Sequence, residues 1–193
     1  SLAMPDLRAF ANAGFPFTRM ADLSETLVVV PPTPTEGQLT TLLDSLATIG
    51  AQTGFPAINM TLTNDGTQIQ GKDADIMIIG ALPEKLKDDK RIDLLVHAAQ
   101  SWVKTPLRQT PFPGVTPDDV DRQADAQTSV SSSGPMAAII GFQSPYNDQR
   151  SVVALLADSP RGYELLNGAM NDSGKRASIF GSVSVIRESG VNG

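Results

Sequence analysis

The sequence predicts one α/β domain with a mostly parallel central sheet, and three observations support this prediction. Two short segments, Thr26–Val30 and Ala74–Gly80, are rich in apolar residues without alternation, as in strands that are covered on both faces. A helix with a clear apolar stripe, from Glu36 to about Ile49, lies between them. The 193 residues, of which 40% are hydrophobic, are enough for one core, so we predict a single domain over residues 1–193.

The first elements are predicted from periodicity and capping residues. Pro5–Ala13 has apolar residues on one helical face and is followed by Gly14, which ends a helix. Thr35 and Gln38 have the spacing of a capping box at the start of the long helix. Ala57–Thr63 alternates apolar and polar residues and is predicted to be a strand.

The middle of the chain combines a charged segment, a helix and a long proline-rich arm. Glu84–Arg91 is predicted to be a solvated and partly helical face. Apolar residues at helical spacing predict a helix between Leu94 and Val103. Residues 105–133 contain several prolines and then an acidic, serine-rich tract. Because connections longer than about 15 residues are uncommon within a compact domain, we expect this arm to serve a function or to lie on a neighbour.

The last third of the chain predicts a hairpin, a helix and a final strand. Ala137–Phe142 and Ser151–Ala157 are apolar and flank a polar loop, which indicates two strands added to the sheet as a hairpin. A helix is predicted to begin at Pro160 and to end at about Ser173. Ile179–Arg187 alternates in character and is predicted to be the last strand.

Composition and charge exclude several classes of function. The net charge of −6 and the isoelectric point of about 4.7 leave no basic field for a nucleic-acid backbone, so we predict no nucleic-acid partner. The chain has no cysteine, which removes thiol nucleophiles, thiolate metal ligands and disulfides. No apolar run reaches the roughly 20 residues that a membrane span requires, and we predict no span in this chain.

No combination of residues in the sequence indicates a catalytic centre or a metal site. His97 is the only histidine, so a metal site or a Ser-His-Asp triad has little to build on. Other patterns lack the partner or the spacing that their chemistry requires, namely the pairs Asp88-Asp89 and Asp118-Asp119, the glycines Gly168 and Gly174, and Ser131–Ser133. We therefore predict no catalytic, metal-binding or cofactor-binding residue.

The loop after the first strand is the nearest approach to a cofactor site. Flavodoxin-like proteins hold the flavin phosphate here, at the N-terminus of the following helix. In this chain Pro31, Pro32 and Pro34 lack an N–H group, and Glu36 adds a carboxylate where an anion would bind. A flavin-dependent oxidoreductase is therefore an alternative that these residues disfavour.

The polar loop between the two strands of the predicted hairpin is the candidate for a ligand or partner contact. Tyr146 offers a ring, Asn147 an amide and Arg150 a cation, a combination that suits a glucan or a nucleotide. The alternative is an ordinary polar loop that connects two strands at the surface.

Long segments throughout the chain resemble one family. These segments are Pro5–Thr26, Gly50–Ala57, Ser101–Gly114, Gly141–Leu166 and Ser173–Gly190, and the fourth reads GFQSPYNDQRSVVALLADSPRGYELL. They are similar to the B subunit of bacterial cellulose synthase, and within it to the second flavodoxin-like α/β module, near its C-terminus. The similarity covers nearly the whole chain.

The resemblance implies a flavodoxin-like three-layer sandwich with a non-catalytic role. It implies a periplasmic protein, anchored to the inner membrane, that partners the catalytic subunit of cellulose synthase and guides nascent cellulose through neighbouring carbohydrate-binding modules. Members often carry a cyclic-di-GMP-binding label, so a glucan- or cyclic-di-GMP-binding module is the alternative function. An acidic domain without several arginines close together is a poor host for a dianionic dinucleotide.

Overall fold

Seven strands form one sheet at the centre of the described part of the chain. The computed structural model describes residues 6–20, 23–54, 59–104 and 134–193. The strands are β1 (Thr26–Val29), β2 (Thr61–Thr63), β3 (Asp75–Gly80), β4 (Met136–Gln143), β5 (Ser151–Ala157), β6 (Val183–Arg187) and β7 (Gly190–Asn192). Their order across the sheet is β2-β1-β3-β5-β4-β6-β7.

Helices of two kinds accompany this sheet in the described residues. The α-helices are α1 (Leu7–Ala13), α2 (Glu36–Thr53), α3 (Glu84–Lys87), α4 (Lys90–Lys104), α5 (Pro160–Asn171) and α6 (Ser173–Arg176). Two 3₁₀-helices cover Phe17–Arg19 and Gly66–Gly71. The prediction of an α/β fold is therefore confirmed.

The sheet is mixed rather than mostly parallel. β1 pairs in parallel with β2 and with β3, and β3 pairs in parallel with β5. β4 is antiparallel to both β5 and β6, and β7 is antiparallel to β6. The predicted hairpin of β4 and β5 is confirmed, but β4 lies inside the sheet. Because antiparallel pairs are as frequent as parallel ones here, the expectation of a mostly parallel sheet holds only for the half that contains β2, β1, β3 and β5.

Apolar residues on the central strands fill two cores, one on each face of the sheet. On β3, Met77 and Ile79 point to one core while Ile76 and Ile78 point to the other, and all four are buried. Helices α1, α2 and α5 cover the first face, and α3 and α4 cover the second face. Burial on both faces explains why this strand is a continuous apolar run in the sequence.

Helix α2 begins as its capping pattern predicts. Gln38 N donates to Thr35 Oγ1 at 3.2 Å, and Thr35 N donates to Gln38 Oε1 at 2.9 Å. The helix continues to Thr53 and not only to Ile49, and it ends where Gly54 takes a left-handed conformation with φ of +75°.

Helix α5 also begins as predicted and ends at Asn171, where Asp172 is extended, close to the predicted stop; a second short helix then follows directly. Gly162 N donates to the Oγ of Ser159 at 3.1 Å, which caps the helix that starts at Pro160. The predicted stop at Ser173 is instead the first residue of α6. The side chain of Asp172 accepts a backbone N–H of this new turn at 2.9 Å and thereby starts a second short helix.

The strands β2, β6 and β7 differ from the sequence prediction. β6 begins at Val183 and not at Ile179, because Gly181 has a left-handed φ of +72° that interrupts the extended backbone. β7, a strand of three residues, has no counterpart in the sequence prediction. β2 begins at Thr61, and the predicted start of this strand at residue 57 lies outside the described residues. The proline-rich arm at residues 105–133 also lies outside them.

Candidate functional site

The predicted contact loop, residues 144–150, is a tight connection between β4 and β5. Ser144 N donates to Arg150 O at 2.8 Å, and Arg150 N donates to Asn147 O at 3.1 Å. The side-chain oxygen of Asn147 accepts from Gln149 N at 2.9 Å. These local hydrogen bonds fix the backbone of the loop before any partner binds.

Arg150 points inward and binds three carboxylates. Its side chain is only 10% exposed. Nε donates to Asp73 Oδ1 at 2.8 Å, and Nη1 donates to Glu25 Oε2 at 3.0 Å and to Asp75 Oδ2 at 3.3 Å. Asp75 is 1% exposed, and its other oxygen accepts from Ser151 N at 3.0 Å. We call Arg150, Glu25, Asp73 and Asp75 the arginine cluster.

The arginine cluster joins the ends of three neighbouring strands. Asp75 begins β3, Glu25 directly precedes β1, and Arg150 directly precedes β5. The hydrogen bond with Asp73 raises the pKa of Arg150, and the same bond holds the pKa of the Asp73 carboxyl below its ordinary value. A guanidinium that already has three carboxylate partners stabilises the sheet and offers little to an external ligand.

Asn147 also binds the arginine cluster. Its Nδ2 donates to Asp73 Oδ1 at 2.9 Å, the same oxygen that Arg150 contacts. The structure therefore brings together Asn147 and Arg150, two of the three predicted contact residues, and both of them hold the loop. Tyr146, the third, points elsewhere and remains 38% exposed.

The Tyr146 side chain lines a shallow groove of about 230 Å³ on the surface. Thr67 and Gln70 of the second 3₁₀-helix and the segment Pro83–Leu86 line the remainder. The two walls approach closely because residue 66 is glycine: a Cβ at Gly66 would lie 2.8 Å from Pro83 Cγ. We call this feature the Tyr146 groove.

The opposite ends of the parallel strands form the place where α/β proteins usually bind ligands. The direction in which successive strands are added to the sheet reverses between β1 and β3, because β2 lies on one side of β1 and β3 on the other. Helix α2 covers the first face, and α3 and α4 cover the second. Here Pro31 and Gln38 fill the crevice. A Cβ at Gly80, the last residue of β3, would lie 2.7 Å from Pro31 Cγ and 2.9 Å from Gln38 Nε2.

Gln38 extends this closure to helix α5. Its Nε2 donates to the hydroxyl of Tyr163 at 3.0 Å, while its Oε1 belongs to the α2 cap. Tyr163 is 4% exposed, and a Cβ at Gly37 would lie 3.1 Å from its ring. The N-termini of α2 and α5 are thus bridged by side chains of the protein itself. We call Pro31, Gln38, Gly80 and Tyr163 the closed crevice.

Replacing Tyr163 with phenylalanine is expected to lower the free energy of unfolding by about 1 kcal/mol, because Gln38 Nε2 loses its partner in a partly buried place. Urea denaturation should show a lower midpoint with an unchanged slope. Tyr146→Phe is the matched control, since its ring is 38% exposed, and we expect a change within about 0.5 kcal/mol. Equal effects of the two substitutions would contradict the bridge.

The other residues that the sequence analysis considered do not converge. His97 is exposed on α4, with Nδ1 2.8 Å from the backbone oxygen of Asp93. Asp89 accepts backbone N–H groups at the start of the same helix, which is a capping role. Within the described residues no group of three or more histidine, cysteine, aspartate or glutamate side chains is placed to hold a metal ion. Asp118-Asp119 and Ser131–Ser133 lie outside those residues.

Two features of the site were not predicted. One is the partnership of Arg150 with carboxylates near the starts of β1 and β3, and the other is the bridge between Gln38 and Tyr163. The sequence does contain one signal for the first, because Asp75 is a charged residue at the start of an apolar run. A carboxylate in such a position needs a cationic partner.

Fold and site together define an α/β module whose ligand crevice is filled by its own side chains. Residues 1–155 match the family described as "Cellulose synthase BcsB, second FD domain". The chain therefore belongs to this family, as its sequence resemblance indicates. Among the described helices, none has both the length and the apolar character needed to cross a membrane.

Similar proteins carry two kinds of name. A "Cyclic di-GMP-binding protein" of Escherichia coli O157:H7 is 73% identical over 191 residues, which make up 99% of this chain and 24% of that protein. The protein of the same name from Salmonella typhi is also 73% identical, over 99% of this chain and 25% of its own length. "Cellulose synthase 2" of Novacetimonas hansenii is 33% identical over 86% of this chain and 11% of its own length. The chain thus spans about a quarter, or less, of these relatives.

Proposed function

We propose that this chain is a non-catalytic module of the cellulose synthase complex. In this role it contacts the catalytic subunit on the periplasmic side of the inner membrane and positions neighbouring carbohydrate-binding modules, which guide nascent cellulose. Membership of the BcsB family supports the setting. The closed crevice is the observation that favours a structural role over a cofactor-dependent one.

The closed crevice matters because of its position. In α/β proteins this edge of the sheet gives access to helix N-termini, where phosphate groups of cofactors bind. Here Gln38 completes the cap at the N-terminus of α2, and the same side chain reaches Tyr163 on α5. A flavin or nucleotide phosphate would have to displace these contacts, so we disfavour the oxidoreductase alternative.

We further propose that the fold is a modified flavodoxin-like fold. The parallel strands follow each other as β2-β1-β3-β5, which corresponds to the first four positions of the flavodoxin-like order 2-1-3-4-5. β4 is then an antiparallel insertion, which precedes β5 in the chain and lies beyond β5 in the sheet. On this interpretation the module keeps the cofactor-binding architecture and uses it as a scaffold.

Cyclic di-GMP binding, which the names of several relatives state, is the alternative for this module. Its two phosphates need unpaired arginines or backbone N–H groups. Two of the described arginines are held by carboxylates: Arg150 by three of them, and Arg161 by Glu164 and Glu188 at 2.8 and 2.7 Å. The net charge of −6 further disfavours a dianion.

Site-specific photo-cross-linking in the intact complex tests the scaffold role. The cross-linking group is placed at Leu43 on α2 or at Leu94 on α4, two residues that are 65% and 68% exposed on opposite sides of the sheet. We expect at least one position to cross-link to the catalytic subunit or to a neighbouring module. Absence of both products, or glucan turnover by the purified chain alone, would contradict the proposal.

A further inference from the structure

We propose that the Tyr146 groove binds one glucose unit of a β-linked glucan chain. This inference rests on the proposed function for the choice of polysaccharide, and on the groove for the site itself. It concerns a residue that is exposed on a fixed loop, and it is independent of the closed crevice.

The size of the groove suits a single sugar ring. Its volume of about 230 Å³ is below the roughly 300–1,000 Å³ that is usual for pockets that enclose drug-sized molecules. The groove opens to the surface, so one unit of a longer chain can occupy it while the rest of the chain stays outside. A site of this size favours a weak contact with a polymer over tight capture of a small molecule.

The lining has the mixed character that a pyranose ring requires. The ring of Tyr146 and the side chain of Pro83 provide apolar surface, which matches the C–H face of a β-linked glucose unit. The exposed polar side chains of Thr67, Gln70 and Glu84 lie around them, and they supply acceptors and donors for the equatorial hydroxyl groups. Thr67 is itself fixed, because its hydroxyl donates to Asp65 Oδ1 at 2.7 Å.

The charge of the groove favours a neutral ligand. Glu84 and Lys85 contribute one carboxylate and one ammonium group to the lining, so neither sign dominates. Arg150, the cation nearest in sequence to Tyr146, is occupied by the arginine cluster. A neutral, hydroxyl-rich chain therefore fits the groove better than an anionic nucleotide.

The loop that carries Tyr146 is preorganised for this contact. Tyr146 N is 3.3 Å from Ser144 Oγ, to which it donates, and the next residue, Asn147, is fastened to Asp73. Binding a sugar therefore costs little conformational entropy in the protein backbone. The two predicted polar contact residues thus serve the groove by holding the loop that carries Tyr146.

Selective labelling of tyrosine gives a direct test, because the chain contains only two tyrosines. Tyr146 is 38% exposed and Tyr163 is 4% exposed, so the buried ring is an internal control. NMR spectra of fluorotyrosine-labelled protein are recorded during titration with cellohexaose. We expect the Tyr146 signal to shift with a Kd of about 1 mM or tighter, and the Tyr163 signal to stay.

Variants and an isomeric sugar complete the design. Tyr146→Ala, followed by calorimetry or by protein amide signals, is expected to weaken cellohexaose binding about tenfold, and Gln70→Ala about threefold. Phe180→Ala is the matched control, since Phe180 is also 38% exposed and lies outside the groove, and it should bind as the wild type does. Maltohexaose, which has α-linkages, should bind at least about fivefold more weakly.

Several outcomes would overturn the inference. These are no shift of the Tyr146 signal at about 5 mM cellohexaose, unchanged binding by Tyr146→Ala, or equal binding of maltohexaose. Cross-linking from position 146 to another protein, without any oligosaccharide binding, would identify the groove as a protein contact. In each of these cases the cross-links from Leu43 or Leu94 remain a separate measure of the scaffold role.

Discussion

Replacing Arg150 with methionine is expected to lower the free energy of unfolding by about 3–5 kcal/mol. The substitution keeps the aliphatic part of the side chain, so the loss is mainly electrostatic. Asp75, 1% exposed, then loses the cation at Arg150 Nη1, while the N–H of Ser151 still donates to its other oxygen. For a protein of this size the change corresponds to a fall in Tm of roughly 6–20 °C, measured by calorimetry at pH 7.

A second substitution separates the effect of the buried Asp75 charge from a general loss of packing. Asp75→Asn keeps an oxygen that can accept from Ser151 N and removes the buried charge. The double variant Arg150→Met with Asp75→Asn should therefore be more stable than Arg150→Met alone. If Asp75→Asn instead costs as much stability in the Arg150→Met background as it does in the wild type, the two residues do not act as a pair.

The pH dependence of stability gives an independent readout of the same cluster. Arg150 holds the pKa of Asp73 below its ordinary value of 3.8, so the folded state gains stability from this pair above that pH. The gain is lost as the pH falls through about 4 and lower, where Asp73 becomes protonated. The difference in Tm between the wild type and Arg150→Met should thus be widest above about pH 5 and should narrow toward pH 3.

The parts of the fold that the sequence predicts are those with local causes. β1 and β3 are continuous apolar runs because both faces are covered, and α2 and α5 have side-chain caps that can be identified from spacing alone. The position of β4 has no such local cause. It depends on pairing with β6, for example Ile139 opposite Ser184, between residues far apart in the chain. A hairpin can therefore be predicted without its place in the sheet.

The candidate site also has some features with local causes and others that depend on residues far apart in the chain. The polar character of residues 144–150 indicates an exposed loop, and Tyr146 is indeed at the surface. The inward turn of Arg150 could not be predicted, because it requires that β3 and β5 be neighbours with Asp75 and Arg150 at the same edge. Gln38 was predicted as a capping residue, and its additional bond to Tyr163 spans 125 positions in the chain.

Replacing Gly80 with alanine is expected to lower the free energy of unfolding by about 2–4 kcal/mol, for two separate reasons. Gly80 has a φ of +105°, a conformation that costs an L-residue about 1–3 kcal/mol. The new Cβ would also lie 2.7 Å from Pro31 Cγ and 2.9 Å from Gln38 Nε2, which adds a cost of overpacking. Urea denaturation of the wild type and the variant measures the sum.

Two further variants separate these reasons and connect the prediction to function. Gly168→Ala, in an exposed helical position with nothing within 4 Å of the added Cβ, should stabilise the protein by up to about 1 kcal/mol. Gly80→Ala combined with Gln38→Ala removes one of the close contacts but keeps the strained φ, so it should cost less than the sum of the single substitutions. If the costs of Gly80→Ala and Gln38→Ala simply add, and if Gly80→Ala alone costs only about 1 kcal/mol, the crevice has room for an extra group. A crevice with such room could admit a cofactor, and the case for a scaffold that has closed its ligand site would lose its structural support.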